Sequence, residues 1–173
     1  MENLKRLIRH VPDYPKPGIL FYDITTLLKD QDGFRQALDA MMKPYGDQDF
    51  DVVVGIESRG FIFGAAVADR LKTGFVPVRK PGKLPARTIQ QSYDLEYGSD
   101  TLEMHHDAIE PGQRILIVDD LLATGGTARA CVDLVRGAGG NVASLAFLVE
   151  LQFLNGRARV GDIPMFVALQ YSS

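Results

Sequence analysis

Two neighbouring carboxylates, Asp119 and Asp120, follow the apolar run Ile115, Leu116, Ile117 and Val118 and precede Leu121, Leu122, Ala123, Thr124, Gly125, Gly126 and Thr127. The apolar run reads as a buried strand, and the residues after it as a loop that opens a helix. Gly125 and Gly126 let the backbone wrap closely enough for successive N–H groups to face one anion. Thr124 and Thr127 add hydroxyl donors, and the helix N-terminus adds its dipole. These residue types in this order suit a phosphate monoester. Neighbours on a regular strand point to opposite faces, so both aspartates reach one ligand only if the strand loosens into the loop at their position. Two carboxylates there could accept hydrogen bonds from a sugar diol or hold a magnesium ion through water. The plainer alternative is a strand-end turn in which glycine supplies geometry and aspartate caps.

No lysine follows the glycines, so the run is not the Gly-x-x-x-x-Gly-Lys-Ser/Thr loop of nucleotide triphosphatases, and no Gly-x-Gly-x-x-Gly stands anywhere in the chain.

The elements around this loop must position it. Residues 52–56 form a second buried strand, 61–71 a helix closed by Gly74, 75–78 a short strand, and 127–136 a helix. Residues 142–149 and 165–169 complete the strands, and Asp32 caps a helix that runs to about Lys43. Alternating strands and helices, with continuous apolar strands, predict an α/β domain around a parallel sheet. Leu4, Leu7 and Ile8 suggest a short first helix, and Pro12, Pro15 and Pro17 an extended stretch after it. Residues 80–110 break the pattern: the segment is polar, and its runs at 93–97 and 101–104, split by Gly98 and Ser99, pair as a hairpin.

A chain of 173 residues with 46% apolar and 24% charged residues buries a core without disulfide or metal. Its one cysteine, Cys131, lies among apolar neighbours in the helix after the loop and reads as a small buried residue. The net charge of −3 argues against nucleic-acid binding. The N-terminus is charged throughout and unlike a signal peptide, and no apolar run is long enough to span a bilayer. A cytoplasmic protein is expected. His105 and His106 are adjacent and would face apart on a strand, which argues against a shared metal site.

The run from Asp119 to Thr127 is similar to the phosphoribosyl pyrophosphate (PRPP) signature of the type I phosphoribosyltransferases. That resemblance implies that Asp119 and Asp120 bind the ribose hydroxyls and that Ala123, Thr124, Gly125, Gly126 and Thr127 cradle the 5-phosphate. Residues 12–25, Pro-Asp-Tyr-Pro-Lys-Pro-Gly-Ile-Leu-Phe-Tyr-Asp-Ile-Thr, resemble the N-terminal hood of the adenine phosphoribosyltransferases within that family. Residues 55–61, Gly-Ile-Glu-Ser-Arg-Gly-Phe, resemble their pyrophosphate loop, and residues 78–85 and 92–98 resemble the strand end and mobile loop that close over substrate. The ending Ala168-Leu-Gln-Tyr171 fits as well, and the resemblance covers nearly the whole chain.

The expected fold is therefore the type I phosphoribosyltransferase fold, one domain over 1–173: a central, mostly parallel sheet flanked by helices, a small hood at about 1–30 and a hairpin lid at about 80–110. The expected reaction joins adenine to PRPP, giving AMP and pyrophosphate, with Mg²⁺ carried by the pyrophosphate. The resemblance assigns Arg59, Arg79, Lys80 and Lys83 to the pyrophosphate; for Lys80, Lys83 and Arg87 the alternative is a solvated surface loop. Phe21 would stack on adenine with Leu151 near the other side, and the backbone of Leu20 and Tyr22 would read the base edge. Exocyclic N6 of adenine donates where O6 of guanine or hypoxanthine accepts, so backbone groups separate the two classes. The alternative for Phe21 is ordinary core packing. Glu96, with Tyr97 beside it, would take the proton that the purine loses; a solvated hairpin glutamate is the other reading. No protein side chain is assigned as a direct metal ligand. The chain departs from the family at Tyr22 and Pro81, where basic residues are common or can stand. A homodimer is expected by resemblance. The rivals are a phosphoribosyltransferase for a 6-oxopurine and a regulator that binds PRPP without catalysis, although the chain has no room for a fused DNA-binding module.

Overall fold

The computed structural model describes residues 1–46, 50–95 and 97–173. Apolar β-branched runs become the strands of a five-stranded sheet: β3 (Val52–Ile56), β4 (Gly74–Val78), β7 (Arg114–Leu122), β8 (Asn141–Leu151) and β9 (Met165–Tyr171). Their order is β4-β3-β7-β8-β9, and every neighbouring pair is parallel. The carboxyl ends of β3 and β7 thus lie side by side at the middle of the sheet.

Because side chains alternate along a strand, both sheet faces are apolar and both are covered. Val53, Leu116, Val118 and Ala146 pack with α1 (Glu2–Arg6), α3 (Gln31–Met42) and α4 (Arg59–Leu71) in one core cluster. Val54, Ile115, Ile117, Leu145 and Phe147 pack with α5 (Gly126–Gly137), α6 (Gly156–Val160) and Leu102 and Met104 of the hairpin in the other. Cys131 is fully buried in that second cluster, where burial pushes its thiol up.

Outside the sheet, β1 (Arg9–Val11) pairs antiparallel with β2 (Phe21–Asp23), followed by the short α2 (Thr25–Leu28). The predicted hairpin forms from β5 (Thr88–Leu95) and β6 (Gly98–His105), longer than its sequence suggests. An isolated bridge between Arg79 and Glu103 ties its base to the end of β4.

Several expected boundaries move. Asp30, not Asp32, caps α3, its carboxylate accepting from the Gly33 N–H at 2.7 Å. The helix after β3 starts at Arg59 and is closed by Lys72 in the left-handed region, so Gly74 is free to begin β4. Residues 12–18 turn back instead of running extended: the Asp13 carboxylate accepts from the Gly18 N–H at 2.8 Å, and the antiparallel pairing of β1 and β2 requires that reversal.

Candidate active site

β7 runs through both aspartates to Leu122, so the strand does not loosen at their position as its sequence suggests. What changes there is the neighbour. Pairing with β3 stops at Val118, while pairing with β8 continues to Leu122. Asp119 and Asp120 therefore lie past the last residue of β7 that pairs with β3, beside the turn that enters α4. Both border one cavity of about 310 Å³, together with Glu57, Arg59, Lys80 and the loop from Ala123 to Thr127. This is the crevice at the carboxyl ends of parallel strands where α/β proteins bind ligands.

The loop has the geometry of an anion cradle. Gly125 sits at φ 83°, a left-handed conformation that disfavours any side chain, and α5 begins at the next residue. The first residues of a twelve-residue helix, whose leading amides have no partner within the helix, thus line the cavity. Thr127 donates its hydroxyl to the Tyr93 hydroxyl of the hairpin at 3.2 Å.

The two carboxylates differ electrostatically. Asp120 is held by Arg59, whose Nε lies 2.7 Å from Oδ2. Asp119 accepts the Asp120 N–H at 2.8 Å. Its carboxyl is pushed well above the usual range, first by burial and then by the neighbouring Asp120, with Arg59 opposing weakly. A buried carboxylate in want of partners is suited to accept from a ligand hydroxyl.

Each of the four predicted cations has a protein counter-ion, which the sequence did not reveal. Arg59 pairs with Asp120. Lys83 lies 2.7 Å and Arg79 3.6 Å from Glu57, whose other partner is the Lys80 backbone N–H. Burial works to raise the Glu57 carboxyl, but the Lys83 hydrogen bond and the cations around it hold it below its ordinary value. The Lys80 ammonium bonds Asp100 and donates to the Tyr93 hydroxyl at 3.2 Å. Burial opposes its charge, and these partners overcome that and raise its pKa. Arg59 and Lys80 border the cavity, whereas Arg79 and Lys83 pair with Glu57 and are not in its lining. Arg87 is exposed, and its carbonyl accepts from the His106 N–H at 3.0 Å.

The predicted base-binding residues are brought to the cleft in part. Phe21 lies under the Arg59 guanidinium, 5.5 Å from ring centroid to Cζ, and its other neighbour Tyr14 stands edge-on at 5.1 Å. Arg59 therefore links the aromatic ring to Asp120. Leu20 is 40% exposed. Tyr22 turns its ring into the core against His10 and Tyr171 and donates its hydroxyl to the Ser173 carbonyl at 3.1 Å, so only its backbone is available toward the cleft. Leu151 is buried in the same cluster, at the carboxyl end of β8. None of these four borders the cavity itself.

Glu96 lies outside the described residues. Tyr97 at the hairpin tip is 82% exposed, with the Lys16 ammonium 5.8 Å over its ring. His105 and His106 bond the backbone of Ala86 and Arg87, and the described residues hold no cluster of three or more metal-ligating side chains. Sequence reasoning missed Glu57, although it stands between two residues already singled out, Gly55 and Arg59. It also missed Tyr93, which joins Lys80, Asp100 and Thr127 in one network.

A parallel sheet whose central strand carries paired carboxylates near its carboxyl end, with a lysine-free anion loop after it and a hairpin beside it, has the residue types that suit a sugar phosphate. The model of the Phosphoribosyl transferase domain matches residues 25–162. An adenine phosphoribosyltransferase of Acidobacterium capsulatum is 66% identical over 99% of this chain and 94% of its own length. The crystal structure of adenine phosphoribosyltransferase from Rhodothermus marinus superposes with a TM-score of 0.94 at 55% identity, covering 98% of this chain and 97% of that one. The Saccharomyces cerevisiae enzyme, solved in complex with an imino-altritol bisphosphate and adenine, gives a TM-score of 0.91 at 40% identity over 97% of each chain. The chain belongs to the phosphoribosyltransferases and, among them, to the adenine phosphoribosyltransferase family.

Proposed function

We propose that this chain transfers the 5-phosphoribosyl group of PRPP to adenine, releasing AMP and pyrophosphate, a step of purine salvage. The observation that carries the reading is Arg59, which borders the cleft shared by the carboxylate pair and the phosphate-type loop and connects it to an aromatic ring, Phe21, just outside that lining. Adenine bound to the yeast relative supports the choice of base.

In this reading the amides and hydroxyls of Ala123, Thr124, Gly125, Gly126 and Thr127 hold the 5-phosphate, and Asp119 and Asp120 accept from the ribose hydroxyls. N9 of adenine attacks C1 as the C1–oxygen bond breaks, through a transition state with oxocarbenium character. The electron pair leaves on the pyrophosphate, whose charge Arg59, Lys80, Arg79 and Lys83 stabilise. Arg79 and Lys83 act only once the anion draws them from Glu57. Mg²⁺ enters with PRPP as part of the substrate. Phe21 stacks on the base, Leu151 closes its other side, and the backbone of Leu20 and Tyr22 reads N6. The proton lost by the purine goes to Glu96, and the lid, about 80–110, with Tyr97 at its tip, excludes water that would hydrolyse the activated sugar.

The hood, about 1–30, and the lid belong to one domain in this reading, and the enzyme works as a cytoplasmic homodimer. No helix among the described residues is long and apolar enough to cross a membrane. The test is a spectrophotometric assay with PRPP and Mg²⁺, offering adenine, hypoxanthine and guanine separately. AMP formation from adenine alone is expected. Turnover of a 6-oxopurine would refute the base assignment, and tight PRPP binding without turnover would make the chain a regulator.

A further inference from the structure

Behind the phosphate loop lies a layer that does not border the cavity. The 3₁₀ turn Gln152–Leu154 leads through Asn155 into α6, and Gly156 rests directly on the loop. A Cβ built on Gly156 would stand 2.3 Å from the Ala123 carbonyl oxygen, and one on Gly125 would stand 2.3 Å from the Gly156 carbonyl oxygen. The two backbones touch with no side chain between them.

The next residue, Arg157, fixes that turn to the sheet. Its Nε donates to Glu150 Oε1 at 2.7 Å and its Nη2 to Oε2 at 2.9 Å, a bidentate pair, while Gln170 Nε2 donates to Oε2 at 2.9 Å. Glu150 is only 3% exposed. Burial works to raise its carboxyl, and Arg157 and Gln170 hold it below its ordinary value. Glu150 stands in register with Leu122 on one side and Gln170 on the other. Leu122 is the last residue of β7, and Ala123 begins the loop. The ion pair thus anchors the backing turn at the sheet position where the loop departs.

We propose that Glu150 and Arg157 are positioning residues for the 5-phosphate: their pair holds Gly156 as the wall that sets the spacing of the loop amides. This rests on the phosphoribosyl transfer proposed above. The loop has no lysine, so its grip depends on where those amides point, and hydrogen bonds weaken steeply with misalignment. A loss of backing acts on the phosphate end of the substrate, not on the base.

The experiment compares wild type with Glu150→Gln, Arg157→Gln, Arg157→Lys and Gly156→Ala, varying PRPP and adenine in turn, and measures ribose 5-phosphate binding by calorimetry. Wild-type AMP formation checks the underlying reaction; calorimetry checks the positioning role even if that reaction is absent. For Arg157→Gln, the KM for PRPP rises about tenfold or more, while kcat and the KM for adenine stay within about twofold to threefold. Ribose 5-phosphate affinity falls in parallel, and Arg157→Lys recovers part of the loss. Gly156→Ala keeps the side chains of both Glu150 and Arg157, and Gly156 is not in the left-handed region, so its added methyl should reproduce the defect by displacing the loop at Ala123. If Arg157→Gln does not fold, Gly156→Ala decides. Folded variants with wild-type PRPP KM and ribose 5-phosphate affinity would overturn the proposal, as would equal rises in both KM values.

Discussion

Asp119 is placed for ligand binding at the expense of stability, and Asp119→Asn separates the two. Its carboxyl is buried beside a second acidic side chain, Asp120, and the nearby cation, Arg59, bonds Asp120 instead. Asparagine has the same shape and keeps an oxygen to accept the Asp120 N–H, so the substitution removes the charge and little else. The folded-state pKa of Asp119 is raised, so its stability contribution is full below the unfolded carboxyl pKa of about 3.9 and is lost as pH rises toward the folded value. The stability gain of Asp119→Asn over wild type should therefore grow as pH rises from about 4 toward 8. A single stabilising substitution commonly contributes about 0.5–2 kcal/mol. At about 2–4 °C per kcal/mol for a chain of this size, melting should rise about 1–8 °C at neutral pH. Activity should move the other way. Losing a hydrogen bond to a charged acceptor costs about 1.5–3 kcal/mol, a fall of about 10- to 150-fold in kcat/KM for PRPP. Thermal melts of both proteins across that pH range, with kinetics of AMP formation at neutral pH, test both arms. A variant less stable than wild type at pH 8, or a stability difference independent of pH, would refute the electrostatic reasoning.

Arg59→Ala removes a side chain that touches both Asp120 and Phe21, so the KM values for PRPP and adenine should rise together, with kcat/KM down about 10- to 100-fold; a change confined to one substrate would contradict the bridging role. Tyr93→Phe deletes the hydroxyl that joins the hairpin to Lys80, Asp100 and Thr127, and a loss of about 0.5–1.5 kcal/mol predicts a drop of about 2- to 10-fold in kcat/KM. Unchanged kinetics would show that this network does not hold the lid during turnover. Chelation by EDTA should stop AMP formation without lowering the melting temperature, because Mg²⁺ arrives with PRPP; a lower melting temperature would reveal a resident structural metal.

What could be read along the chain was what is contiguous in it. The apolar run, Asp119, Asp120 and the glycine-rich loop form one local unit, and the parallel sheet follows from strands whose apolar residues run without a break. The hairpin was legible for the same reason. The helix caps and the end of β7 were misjudged by a few residues, because a cap is chosen by which carboxylate reaches a free N–H, and a strand lasts as long as its neighbour does. Long-range partners were not legible at all. Glu57 meets Lys83, Asp120 meets Arg59, Asp100 meets Lys80, and Gly156 backs Ala123 across separations that no local period carries. Those meetings depend on the strand order β4-β3-β7-β8-β9, which sets the carboxyl ends of β3 and β7 side by side and brings the turn after β8 behind the loop. Residue types announced a phosphate site; the neutralisation of each predicted cation by a protein carboxylate, and the wall behind the loop, arise only when the strands are packed in that order.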